Sequence, residues 1–202
     1  MTEADLQRSL AALPESDPSV GVLRFRRRAA RAALLDVAYA VTDSPLGPLA
    51  VFVTPRGLVR LAYQGEPMDE VVAEVAARVS PRVVLAPEQT DVIRRELDAY
   101  FARRLESFSV PIDWTLVRGF ARGLLNATAA IPFGQVATYG ALAAAVGSPR
   151  AARAAGNALG SNPIPIVVPC HRVVHAGGGI GGYTGGLERK RALLQLEGWL
   201  GQ

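Results

Sequence analysis

The chain has 202 residues, half of them hydrophobic, which is enough to bury a sizeable core in one or two compact domains. Its 22 Lys and Arg against 18 Asp and Glu leave a net charge of +4, a modest excess that permits a polyanionic partner without requiring one. One cysteine excludes an internal disulfide framework, two histidines cannot assemble a zinc site of the usual ligand spacing, and no apolar run is long enough to span a bilayer; these features lead us to expect a soluble protein of a reducing, cytoplasmic compartment without a bound metal.

Residues 1–35 read as an extension: a polar, proline-containing start, then RFRRRAARAALL, whose Arg and Ala content favours a short basic helix, either a solvated face or a flexible nucleic-acid arm. From Asp36 the pattern changes to short β-type runs, VAYAV, LAVFV and LVRLAY, separated by the turn sequences SPLGP and TPRG, which predicts a small antiparallel meander. Two windows with apolar residues at three- and four-residue spacing follow, MDEVVAEVAARV and EQTDVIRRELDAYFARRL, and FSVPID closes the segment. The spacing therefore predicts a first domain over 36–110 and a second, mainly helical one over 111–202.

In the second half an apolar-faced helix is expected from about Thr115 to Ala130, interrupted by IPFG. The stretch TYGALAAAVGSPRAARAAGNALG then reads as a helix-turn-helix, with Gly147 in the left-handed position ending the first helix, Ser148 as N-cap of the second and Pro149 in its first turn. Acidic residues thin out between Trp114 and Gly186 while Arg118, Arg122, Arg150, Arg153 and Arg172 remain, a distribution suited to DNA. The second helix, however, carries Ala151, Ala152, Ala154, Ala155, Gly156 and Ala158, with Arg153 as its one long central side chain. So bare a surface suits close approach to a sugar-phosphate backbone without sequence preference, with the arginine entering a groove or the base stack. The same alanines are equally what a helix pair packed in a core would carry.

Beyond that pair lies NPIPIVVPCHRVV, which holds the single cysteine. A free cysteine in an apolar run is usually an inert small hydrophobe. Here His171 is a potential base, Arg172 a positive neighbour, and Pro163, Pro165 and Pro169 stiffen the approach, the ingredients that raise the thiolate fraction of an ordinary thiol. The glycine run AGGGIGGYTGG follows. Gly177, Gly179 and Gly182 spell GxGxxG, but no βαβ unit surrounds them, so a dinucleotide site is discarded in favour of a loop that brings backbone groups close to a bound group. A final amphipathic helix, LERKRALLQLE, is ended by Gly198.

PCHRV, preceded by NPIPIVV and followed by GGYTGG and LLQLEG, resembles the active-site region of the O6-alkylguanine-DNA alkyltransferases, also called methylated-DNA-protein-cysteine methyltransferases. The likeness runs from about Ile131 to Gly198 nearly without gaps and, more loosely, through TDSPLGPLAVFVTPRGLVRLAY. It implies an α+β protein, with a small ribonuclease H-like antiparallel sheet domain followed by a mainly helical, winged-helix-like domain with a helix-turn-helix. It also implies an activity: irreversible, stoichiometric transfer of an alkyl group from O6-alkylguanine in DNA to the protein's own cysteine, after the base is flipped and without a cofactor.

By that resemblance Cys170 is the alkyl acceptor, His171 acts on it through a water as base, Glu197 holds the imidazole, and Asn162 supports the loop. Tyr139 contacts the flipped guanine and its phosphate, Arg153 fills the hole left in the duplex, and Ala152 and Gly156 permit the close approach. Tyr183 and Thr184 lie where the alkylated base binds, Lys190 is a further residue of the site, and the backbone of Cys170 and Val173 faces the guanine edge. The implied partner is double-stranded DNA bound without sequence preference by a monomer, with cooperativity and O4-alkylthymine activity left open. Thr184 stands where the family often has serine, Ala121 follows Phe120 where a glutamine is common, and the cysteines of zinc-binding members are absent. Two other functions stay open: a module that binds damage but transfers nothing, and a cysteine hydrolase built on Cys170, His171 and Glu197.

Overall fold

A computed structural model describes residues 35–199, so the extension expected over residues 1–35 lies almost wholly outside the described residues. The three expected strands are present as β1 (Val37–Thr42), β2 (Leu49–Thr54) and β3 (Gly57–Tyr63), joined by tight turns and paired antiparallel. Helix α1 (Met68–Arg78) follows, then β4 (Val83–Leu85) and α2 (Asp91–Phe101). β4 is an addition to the expected meander: it pairs parallel with β1, giving the order β3-β2-β1-β4. Leu49, Ala50, Val51 and Phe52 are all buried, so β2 is covered on both faces. Val71 and Val75 of α1 and Ile93, Leu97 and Tyr100 of α2 join the same apolar core.

The free edge of β3 is not left to solvent, where unpaired backbone groups would invite foreign strands. Leu58 N–H donates to Pro111 O and Asp113 N–H to Leu58 O, which ties down the segment linking the two halves. Leu61 N–H donates to Pro163 O at 2.8 Å, so the cysteine loop is itself anchored to the sheet.

The second half contains α3 (Gly119–Ala129), β5 (Ala137–Thr138), α4 (Tyr139–Ala145), α5 (Ala152–Gly160), β6 (Val173–Val174) and α6 (Leu187–Leu196). The first turn of the long helix expected from Thr115 is instead a separate 3-10 turn, Trp114–Leu116, with Asp113 accepting from Thr115 N–H. Gly147 takes the left-handed conformation expected of it, at φ +74°. The start of α5 differs: Ser148 O accepts from Ala151 N–H in a turn of its own, and the helix begins at Ala152 behind Ala151, with no side-chain cap. Pro149 has no N–H to give such a turn, which makes it as suitable there as in a first helical turn, so cap chemistry alone misplaces the boundary. β5 and β6 pair in parallel, Ala137 opposite Val173 and Thr138 opposite Val174. This small ladder joins the entrance of α4 to the exit of the cysteine turn.

Candidate functional site

The run from Asn162 to Cys170 is wound by two successive three-residue turns. Val167 N–H donates to Pro165 O at 2.9 Å around Ile166, a β-branched residue at φ +73°, a rare and strained geometry that its surroundings must impose. Cys170 N–H then donates to Val168 O at 2.8 Å around Pro169. Asn162 staples the result: its Nδ2 donates to Val168 O at 2.8 Å and to Cys170 Sγ at 3.1 Å, while its Oδ1 accepts from Ile164 N–H. Cys170 is 8% exposed and lines two clefts.

Behind the sulfur, Cys170–Arg172 form a 3-10 turn that sends His171 and Arg172 inward onto Glu197, which ends α6. His171 Nε2 lies 2.9 Å from Glu197 Oε1, and its Nδ1 has no hydrogen-bond partner among the described residues. Arg172 donates twice to the same carboxylate, from Nε and from a terminal nitrogen, each at 2.9 Å. Tyr100, from α2 in the first half, donates its hydroxyl to Glu197 Oε1 at 2.6 Å. Burial by itself would raise the Glu197 carboxyl, but the hydrogen bonds from His171 and Arg172 outweigh it and bring it down to about 2. Burial lowers the His171 imidazole below its ordinary value, against the pull of Glu197. A neutral His171 therefore donates an Nε2–H hydrogen bond to Glu197 and keeps a lone pair on Nδ1, which suits it to receive a proton.

Arg172 is a correction to its expected place. The sequence neighbour of the thiol faces Glu197 and the Ile131 carbonyl instead, and the cation acting on the sulfur is Lys190. Lys190 is fully buried, with Nζ donating to Val173 O at 2.6 Å and to Gly182 O at 3.2 Å. Burial brings its ammonium down to about 8. The thiol is raised by burial, with Asn162 and Lys190 opposing, so in the free protein it rests protonated. Val173 has both backbone groups engaged, its N–H to Cys170 O and its carbonyl to Lys190.

One cleft, of about 640 Å³, is lined by Cys170, Tyr139, Ala152, Arg153, Gly156 and Thr184 among others. Tyr139 opens α4 behind the cap of Thr138 Oγ1, and Arg153 and Ala152 stand exposed on α5. Gly181, at φ +70°, lets the glycine loop close over Tyr139, because a Cβ there would lie 2.7 Å from the Tyr139 hydroxyl. Burial and the nearby Cys170 raise that hydroxyl, so Tyr139 carries its proton at neutral pH. Thr184 donates to Gly160 O at 2.6 Å, fastening the loop to the end of α5. The second cleft, of about 650 Å³, reaches Cys170 from the sheet side past Tyr63, Arg60 and Asn162. Tyr183 lines both, and its hydroxyl meets that of Tyr63 at 2.6 Å. Sequence reading missed Tyr100, Tyr63 and the inward role of Arg172; the first two act across 97 and 120 residues, where no local pattern reaches.

The described chain matches two family models in succession. The 6-O-methylguanine DNA methyltransferase ribonuclease-like domain spans residues 37–114, and the DNA-binding domain of the same methyltransferase spans 119–199. The methylated-DNA–protein-cysteine methyltransferase of Mycobacterium tuberculosis is 39% identical over 161 residues, covering 79% of this chain and 91% of that protein. Its counterpart from Methanosarcina acetivorans is 38% identical over 160 residues, covering 79% and 97%. The crystal structure of Mycobacterium tuberculosis OGT in complex with DNA superposes with a TM-score of 0.68 at 39% identity, covering 79% of this chain and 92% of that one.

Proposed function

Because the chain belongs to the 6-O-methylguanine DNA methyltransferase family, we propose that it repairs O6-alkylguanine in DNA by direct reversal, moving the alkyl group onto Cys170. The observation that carries this is the setting of the sulfur: it opens into the cleft walled by Tyr139, Ala152, Arg153 and Gly156, with the Asn162 amide donating to it. An O6-alkyl group is out of reach inside a duplex, so the nucleotide must rotate out, at a cost of about a few kcal/mol that a poorly paired base reduces. The small residues of α5 let the backbone come close, and Arg153 fills the space the base leaves.

His171 Nδ1 takes the thiol proton through a water, with Glu197 balancing the imidazolium. The resting thiol is protonated, so this transfer belongs to the moment the base docks. The thiolate attacks the alkyl carbon in line; the S–C bond forms as the C–O6 bond breaks, and the departing guanine takes a proton from the Tyr139 hydroxyl. Lys190 favours the thiolate, and Tyr183 and Thr184 frame the alkylated base, whereas Val173, expected to face it, is fully buried with its carbonyl given to Lys190. The product is a thioether with no hydrolytic exit, so each molecule acts once. Within the same proposal, residues 36–110 brace the site and residues 111–202 hold the DNA and the acceptor, in a cytoplasmic monomer that contacts duplex without sequence preference. A hydrolase on Cys170, His171 and Glu197 would leave the bare face of α5 unused.

Intact-mass measurement after mixing the protein with duplex bearing one O6-methylguanine tests this. One methyl per protein, lost in Cys170→Ala, is expected; repeated turnover, or an unmodified protein with the lesion intact, rules it out.

A further inference from the structure

Tyr183, one of the residues that line both clefts, is held from the other half of the chain. Its hydroxyl lies 2.6 Å from that of Tyr63, the last residue of β3, and the rings meet edge to face at 6.3 Å. Tyr63 is itself fixed: buried, its N–H bonded to Glu66 Oε1 at 2.8 Å and the Arg189 guanidinium 4.7 Å above its ring. Gly185 completes the fit, since a Cβ there would stand 2.6 Å from Tyr63 Cε2 and 2.8 Å from Tyr183 Cε1. Tyr63 does not line the cleft of Tyr139, Ala152, Arg153 and Gly156, so contact with DNA does not explain this arrangement.

A phenol is one donor and one acceptor. When the Tyr63 hydroxyl donates to the Tyr183 oxygen, the Tyr183 proton is free to turn toward the sulfur, and a donor polarised in this way is a stronger one. We propose that Tyr63 is a positioning residue for alkyl transfer: through its hydroxyl it sets Tyr183 as a hydrogen-bond donor to the Cys170 thiolate. This rests on Cys170 being the alkyl acceptor. The groups acting on the sulfur are Asn162 from beyond α5, Lys190 from α6, Tyr139 from α4 and Tyr183 from the glycine loop, with His171 of its own turn bound to Glu197 and Arg189 and Glu66 behind Tyr63. Burial raises the thiol, while Asn162, Lys190 and Tyr183 each pull it back. The sheet thus reaches Tyr183 through the Tyr63 hydroxyl, besides holding the cysteine loop at Pro163.

Tyr63→Phe keeps the ring and removes only that hydroxyl. Single-turnover methyl transfer from duplex with one O6-methylguanine is measured from about pH 6 to about pH 9, alongside iodoacetamide labelling of the free protein, bracketing the ordinary thiol range. Near neutral pH the variant should be slower by about tenfold, the order of one lost hydrogen bond to a charged group. Its acid limb should move to higher pH in both reactions, with duplex affinity unchanged. Tyr183→Phe should slow transfer similarly, and the double variant should be no slower than Tyr183→Phe alone, because the two hydroxyls act in series. A wild-type rate and pH profile for Tyr63→Phe, or effects that multiply in the double variant, would overturn the inference. A wild-type protein that takes up no methyl would instead overturn the role of Cys170, so the two failures are distinct.

Discussion

The two sides of Cys170 are built on opposite plans. Behind it, His171, Arg172 and Tyr100 converge on one buried carboxylate, Glu197, and every element that meets there is locked by charge-assisted hydrogen bonds. In front of it, α5 offers Ala152, Arg153 and Ala154 to solvent. The rear is assembled for itself and the front for a partner. A substitution behind the sulfur should therefore register in folding, and one in front in DNA repair alone.

The largest effect is expected from Glu197→Ala. It strands the Arg172 guanidinium, 5% exposed, and leaves His171 without its acceptor. Removing one partner of a buried ion pair costs about 3–5 kcal/mol, which calorimetry would read as a fall in Tm of about ten degrees or more; methyl transfer should vanish with it. A cost under about 1 kcal/mol would break the contrast.

Acid probes the same rear wall. Burial holds the folded-state pKa of His171 below the ordinary 6.5, and that of Glu197 is brought from 4.5 to about 2. In both cases the unfolded chain takes up protons that the native state refuses, so stability is fully present above the unfolded value and is lost as pH falls toward the folded one. The His171 part is lost first, below about 6.5, and the Glu197 part between about 4.5 and about 2, the latter worth about 3 kcal/mol. Tm measured against pH should fall in that order, and Glu197→Gln should flatten the lower limb. A Tm flat over the whole interval would contradict this.

The smallest effect on stability belongs to the front. Arg153→Ala should leave unfolding within about 0.5 kcal/mol of wild type, yet slow transfer from duplex by about tenfold as the flipped-out state loses its filler. Transfer from a lesion in single-stranded DNA should change much less, and equal losses on both substrates would remove the distinction.

Much of this molecule was legible locally. β1 to β3 follow from their alternating apolar runs and the turn residues between them, Gly147 and Gly198 both take the left-handed conformation their places demand, and the proline-stiffened stretch before Cys170 is as constrained as its composition suggests. Three residues of β4 are too few to show a period, and its partner β1 lies across α1. The start of α5 was misplaced because Ser148 and Pro149 suit a turn as well as a cap. Arg172 is the most instructive case. Adjacency in sequence put its charge beside the thiol, whereas the 3-10 turn carries it onto Glu197 and leaves that task to Lys190, whose helical window gave no sign of a fully buried ammonium. Tyr63 and Tyr100 read as ordinary strand and helix aromatics, and only the packing of the two halves makes them part of the site.

The two-residue ladder of β5 and β6 has a mechanical consequence. With Thr138 in register against Val174, the ladder couples the helix that begins at Tyr139 directly to the turn that ends at Arg172. A displacement of α4 would therefore be passed through this ladder to the turn that carries the sulfur. One residue inserted on either side of that ladder would slide grip against chemistry by about 3.3 Å, the rise of a single strand position.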